Sequence, residues 1–166
     1  MPFWIAQYLK SLGDNFSKVT EASLTANPIY RSAQPSKDRL SLLKSKYNIE
    51  SIINLREDLT KEEYVECAEA KIELLNYPMS DSKAPEVAQV DEILRVLLTT
   101  SKLVPVLVCC KGGRHRSGVI IACYRISIQG WTYARAYEEM EKFGWYGAFG
   151  HEPLRQFVED YAKQKR

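Results

Sequence analysis

The segment Cys110-Lys-Gly-Gly-Arg-His-Arg116 constrains this chain more than any other, because of what stands on either side of it. Val104, Val106, Leu107 and Val108 form a short strand-like run before it, and Ser117 to Ile128 carries a long apolar helical pattern behind it. A strand, a glycine-containing turn and a helix in that order leave main-chain N–H groups unpaired and pointing into the turn, and the helix dipole adds positive potential there. Such a concavity binds an oxyanion. It also favours the anionic form of a thiol at its rim, moving a cysteine from ~8.5 towards the ~3.5–7.5 found beside cations and helix N-termini. Cys110 is read as a thiolate nucleophile.

Arg116 suits the other half of that chemistry. Its planar fork holds two oxygens of a phosphoryl group through bond breaking, where charge spreads over the equatorial oxygens. Gly112 and Gly113 permit backbone conformations and a close ligand approach that a Cβ would obstruct. Lys111, Arg114 and His115 complete the phosphate-binding set, His115 either as added positive charge or as an outward surface ring. The Ser117 hydroxyl is placed to donate to the Cys110 sulfur and make it a better leaving group. Six residues after Cys67, Cys109 and Cys123 stand Glu73, His115 and Gln129, so only Cys110 has an arginine at this spacing.

With Ser117-Gly118, this segment resembles the active-site loop of the cysteine-dependent protein tyrosine phosphatase superfamily, specifically its small dual-specificity-like branch. Ile29-Tyr-Arg-Ser-Ala-Gln-Pro35 and Ile52-Ile-Asn-Leu-Arg56 are similar to the first strands of compact members, and Gly130-Trp-Thr with Ala134 to Met140 to the helix after the site. The resemblance implies a two-step phosphomonoester hydrolysis through phosphocysteine, with no metal and no cofactor. It departs at one place: the family usually has histidine before the nucleophile, and here stands Cys109. The thiolate then depends on the loop amides, Arg116 and the helix N-terminus. Cys109 itself reads as a buried strand-end thiol facing away, since neighbouring strand residues point to opposite faces, or as a redox partner.

The 166 residues, with 45% hydrophobic content, suffice for one compact domain over 1–166 and not for two substantial ones. A net charge of +2 points to neither nucleic acid nor membrane, while the local cations attract phosphate-rich partners. Four cysteines without framework spacing, and the need for a working thiolate, indicate a reducing compartment, the cytoplasm. Phe3, Trp4, Ile5, Tyr8, Leu9 and Leu12 form an apolar stripe in 1–14, too short for a membrane span and read as a docking helix.

Strands are expected at Phe16 to Val19, Pro28 to Ser32, Ser51 to Leu55, Ile72 to Tyr77 and Val104 to Cys109. Helices are expected from the Ser36 cap to Lys46 and over Lys61 to Ala70, Pro85 to Thr100, Ser117 to Ile128, Thr132 to Phe143 and Pro153 to Lys163. The alternation predicts an α/β fold with a central, mostly parallel twisted sheet flanked by helices, and ligands at the carboxyl ends of the strands.

A phosphomonoester needs its leaving oxygen protonated. Asp81 is the leading candidate, in the loop Tyr77 to Pro85 after a strand, where prolines suggest a movable flap and where the family carries its acid. The rival, Asp58, lies in a charged stretch suited to capping a helix. Asn54 and Arg56 read equally as lining the cleft from the neighbouring strand end and as structural, in loop hydrogen bonding. His115 and His151 have no metal-ligand spacing with the cysteines. Trp145, Tyr146 and Phe149 among glycines read as core packing or a substrate-facing rim.

The preferred substrate is a phosphotyrosine or dual-specificity phosphoprotein. The alternative is an inositol phosphate, inositol pyrophosphate or phosphoinositide, because Lys111, Arg114 and His115 resemble the basic loops of such phosphatases. Non-catalytic phosphate binding by a pseudophosphatase, and a rhodanese-type sulfur carrier, stand behind both. Iodoacetate alkylation of Cys110 followed against pH should inflect below the ~8.5 of free cysteine; an inflection at that value removes the thiolate.

Overall fold

Apolar residues fall on both faces of the central strands, which forces helices onto both sides of the sheet. The computed structural model describes residues 15–20, 27–99 and 104–165. In chain order the elements are β1 (Ser17–Thr20), β2 (Ile29–Ala33), α1 (Lys37–Tyr47), β3 (Ser51–Asn54), α2 (Lys61–Glu69), β4 (Glu73–Asn76), α3 (Val87–Thr99), β5 (Val106–Cys110), α4 (Arg116–Ser127), α5 (Tyr133–Lys142) and α6 (Glu152–Gln164). Every strand and helix expected within these residues is present, with ends displaced by one or two positions. The ends have local causes. Pro105 has no N–H to give a ladder, so β5 begins after it, and the Ser36 hydroxyl accepts from Arg39 N to start α1. The Thr60–Glu63 capping box starts α2. The expected helix in 1–14 and the Thr100 end of the third helix lie outside the described residues.

The single α/β domain is built on one sheet in the order β1-β2-β5-β3-β4, with β5 in the middle. Only β1 is antiparallel to its neighbour; β2, β5, β3 and β4 run parallel. Along β5 the side chains alternate. Val106, Val108 and Cys110 join the core under α3, α4, α5 and α6, whereas Leu107 and Cys109 join the core under α1 and α2 with Leu40, Leu43 and Cys67. Helix α4 is buried from Arg116 through Ile126, the central helix that its uninterrupted apolar pattern predicts. Cys110, Asp81, Arg56 and Gln34 all follow from the carboxyl ends of parallel strands, so one edge of the sheet gathers the chemistry.

The loop between β5 and α4 is pressed against the end of β2. Gln34 N donates to Lys111 O at 3.2 Å, and the Arg31 guanidinium donates to Gly113 O at 2.9 Å. Gly113 has φ +64°, and a Cβ there would lie 2.5 Å from Ala33 N, against main chain that has no rotamer to change. Gly113→Ala combines left-handed strain with this overlap, so urea unfolding should show a loss of more than about 2 kcal/mol.

Candidate active site

The cleft at this edge has a volume of about 350 Å³ and is lined by Asp81, Cys110, Lys111, Gly112, Arg114, His115, Arg116, Tyr146 and His151. Cys110 is 2% exposed, at the cleft floor. Its sulfur lies 3.3 Å from Ser117 Oγ, the pairing anticipated for a hydroxyl directly after the arginine. No described residue accepts a hydrogen bond from the main-chain N–H groups of Lys111 to Arg116, and α4 begins at Arg116 without a side-chain cap. Unused donors at the start of a helix are what an oxyanion site requires. Arg116 lines the same cleft and donates from Nη1 to Met79 O at 3.3 Å, which orients the fork.

Gly113 does not line the cleft. The close approach it permits is to the β2 backbone rather than to a ligand, so its part in the phosphate-binding set is to hold the loop. His115 also departs from both sequence readings. It is buried, neither an added cation nor an outward ring: Nε2 donates to Tyr146 O at 3.1 Å, and the ring stacks on His151 with centroids 3.6 Å apart. Burial first, and His151 second, push His115 down to about 4, which leaves it neutral at pH 7. Lys111 and Arg114 remain as cleft cations without a carboxylate partner among the described residues.

Asp81 is exposed and lines the cleft; its main-chain carbonyl accepts from His151 Nδ1 at 2.6 Å. At the start of the loop expected as a movable flap, Met79 N donates to Leu55 O at 3.1 Å. Asp58 lies outside the cleft lining, ion-paired to Arg56 at 2.9 Å, and this pairing holds its carboxyl below the usual carboxylate range. Arg56 binds Glu63 as well at 2.6 Å, and Asn54 donates to Gln34 Oε1 at 2.6 Å; neither lines the cleft, so of their two readings these contacts fit the structural one. Cys109 is fully buried on the other face of the sheet, where burial and then the charge of Cys110 hold its thiol protonated well above the ordinary cysteine range. That is the environment of a core thiol. All four cysteines are unpaired, and among the described residues no group of three or more His, Cys, Asp or Glu is placed to hold a metal.

Three contributors escaped the sequence reading. His151 carries no sequence signal beyond its lack of metal-ligand spacing, although Gly144, Gly147 and Gly150 mark a bent segment that can return to the site. Asn15 Nδ2 ties Gly113 O at 3.3 Å to Phe143 O at 2.8 Å. Arg31 is 1% exposed, stacks on Phe143 at 3.9 Å, and is pulled down to about 10 chiefly by burial, so it stays charged beneath the loop. The aromatic stretch divides: Trp145 is buried, Tyr146 lines the cleft, and Phe149 is 89% exposed.

His115 has a consequence for stability. The unfolded chain takes up a proton near ~6.5 that the folded site refuses until about 4, so acidification through this window favours unfolding. Tm should therefore fall between pH 6.5 and 4, and His115→Asn should fall less steeply over the same window.

A family model described as "Tyrosine phosphatase family" matches residues 13–166. The dual specificity protein phosphatase TpbA of Pseudomonas aeruginosa is 32% identical over 124 residues, covering 75% of this chain and 53% of that protein. Inositol diphosphatase DSP4 of Arabidopsis thaliana is 32% identical over 136 residues, covering 79% of this chain and 67% of the other. This chain thus spans about half the length of the TpbA relative. The core catalytic domain of the PP-IP phosphatase SIW14 from S. cerevisiae, solved with citrate, superposes with a TM-score of 0.73 at 27% identity, covering 89% of this chain and 85% of that one. With nearly the whole length matched, the chain belongs to the tyrosine phosphatase family.

Proposed function

We propose that this protein hydrolyses phosphomonoesters through a phosphocysteine at Cys110. The observation that carries the proposal is the Cys110 sulfur 3.3 Å from Ser117 Oγ, in one cleft with Arg116 and the unpaired loop amides. In the first step the Cys110 sulfur attacks phosphorus. Arg116 and the loop N–H groups hold the equatorial oxygens, and Asp81 gives its proton to the leaving oxygen. In the second step water attacks the phosphocysteine, Asp81 takes a proton from it, and the hydrogen bond from Ser117 stabilises the departing thiolate. Gly112 leaves room at the cleft wall, and Lys111 and Arg114 draw in the anion.

Among substrates, a phosphotyrosine or dual-specificity phosphoprotein is the first reading. It is supported by the likeness to TpbA and by Tyr146, whose ring gives the cleft an aromatic wall for a phenyl group. A polyphosphorylated inositol is the second, supported by Lys111 and Arg114, which have no carboxylate partner among the described residues, and by the likeness to inositol diphosphatases. His115 adds no charge to that grip. No helix among the described residues is long and apolar enough to cross a membrane, and four unpaired thiols suit a reducing compartment such as the cytoplasm.

Turnover of an aryl phosphate should vanish in Cys110→Ser. In Asp81→Asn, turnover of a phosphomonoester with an unactivated leaving group should fall by about 10²–10⁴-fold with a flattened pH profile. Binding of phosphate without turnover by the wild-type protein would make it a binder instead. The double change Lys111→Ala with Arg114→Ala should weaken inositol polyphosphates more than phosphotyrosine peptides; equal losses on both remove the polyanion reading.

A further inference from the structure

We propose that the stacked rings of His115 and His151 form a bridge from the phosphate loop to the acid loop, with His151 the positioning residue that sets Asp81 against the leaving oxygen. This rests on the reading of Asp81 as the general acid.

The loop from Tyr77 to Pro85 is well fastened only at its start. Met79 N donates to Leu55 O at 3.1 Å, Arg116 Nη1 donates to Met79 O at 3.3 Å, and Gln89 Nε2 donates to Pro78 O at 2.7 Å. Beyond Met79 the loop turns on itself: Ser80 Oγ accepts from Ser82 N at 3.2 Å and Lys83 N at 3.1 Å. These bonds shape the turn without anchoring it to the rest of the protein. Asp81, Ser82 and Lys83 are exposed. Among the described residues, the hydrogen bond that ties this tip to another element is His151 Nδ1 to Asp81 O, at 2.6 Å.

His151 is itself held from the nucleophile side. It stands directly before α6, after Gly150 at φ +84°, and a Cβ at Gly150 would lie 3.7 Å from Ser82 Cβ, so the chain enters the helix against the acid loop. Its ring lies on His115 at 3.6 Å and an interplanar angle of 16°. His115 belongs to the phosphate loop, and its own Nε2 donates to Tyr146 O. Trp145 and Tyr146 stand edge-on to His115 and close the stack from the side. A carbonyl oxygen only accepts, so these contacts put hydrogen on His151 Nδ1 and on His115 Nε2. The rings therefore form a continuous path from the loop that binds the phosphoryl group to the residue that protonates the leaving group. An acid displaced by about 1 Å from its proton-transfer position can cost on the order of 10²-fold.

The test uses leaving groups. An aryl phosphate with an acidic phenol leaves without protonation, whereas an alkyl phosphate requires the acid. His151→Phe keeps a flat ring for stacking and removes the donor; His151→Asn keeps an N–H near the position of Nδ1. In His151→Phe, kcat for the alkyl phosphate should fall about 10–100-fold, with less than about threefold change for the activated aryl phosphate and little change in KM. His151→Asn should recover most of that loss. Added to Asp81→Asn, His151→Phe should cause no further loss, because both act through one proton transfer. Equal losses on both leaving groups, or losses that add to those of Asp81→Asn, overturn the bridge, and melting curves separate either from misfolding. If Asp81→Asn itself treats both leaving groups alike, the acid assignment falls and the bridge with it. If Asp81→Asn discriminates and His151→Phe does not, the bridge alone falls.

Discussion

The N–H groups of Lys111 to Arg116 have no acceptor within the described protein, and the rest of the site depends on keeping them so. Unsatisfied main-chain donors are costly when buried, and a chain left to itself would turn them outward or pair them. Here the loop is held by its carbonyls instead. Gly113 O accepts from Arg31 and Asn15, and Lys111 O accepts from Gln34 N, so these two peptide groups are fixed through their acceptors while their neighbours' donors stay unused. Arg31 performs this under the loop with Nε and Nη1 lacking partners among the described residues, a desolvated cation beside a site built for anions. Its charge is unfavourable for the core and favourable for the oxyanion above it.

The sheet makes the separation of roles possible. β5 is flanked by parallel neighbours on both sides, so its end is rigid, and the residues that follow β2, β3 and β4 converge on the same edge. Alternation then places adjacent cysteines in opposite environments. Cys110 opens into the cleft beside Ser117, and Cys109, at the place where the family usually has histidine, lies sealed with Leu40, Leu43 and Cys67. Burial keeps Cys109 a neutral thiol, so positive potential at Cys110 falls to the loop amides, Arg116 and the start of α4.

The acid side of the cleft is built by different means. The loop bearing Asp81 has prolines and polar residues and little apolar anchorage beyond Met79, so its position is set by a few hydrogen bonds from Arg116, Gln89 and His151. The segment 144–151 supplies the last of these, and its glycines are what allow a short stretch to place Trp145 in the core, Tyr146 at the rim and His151 on the acid loop.

The order of strands and helices, the covered sheet, and the placing of Cys110, Arg116 and Ser117 around one turn were legible because they are local. Periodicity and a fixed spacing report what one segment does with its own backbone. Asp81 was reachable by the same route, as a carboxylate after a strand end. Ring stacking and tertiary hydrogen bonds have no such signature. Whether His115 carries charge depends first on its burial and then on the ring of His151, 36 positions away in the chain. Whether Gly113 faces ligand or β2 depends on how two strands register. Arg31, Asn15 and His151 look like ordinary polar residues until folding buries them. The sequence alone determined the strand, turn and helix that carry Cys110 and Arg116, since these are encoded where they occur. Tertiary packing alone decided which neighbours are charged, which are neutral and what holds the acid in place, because desolvation and contact arise only when distant segments meet.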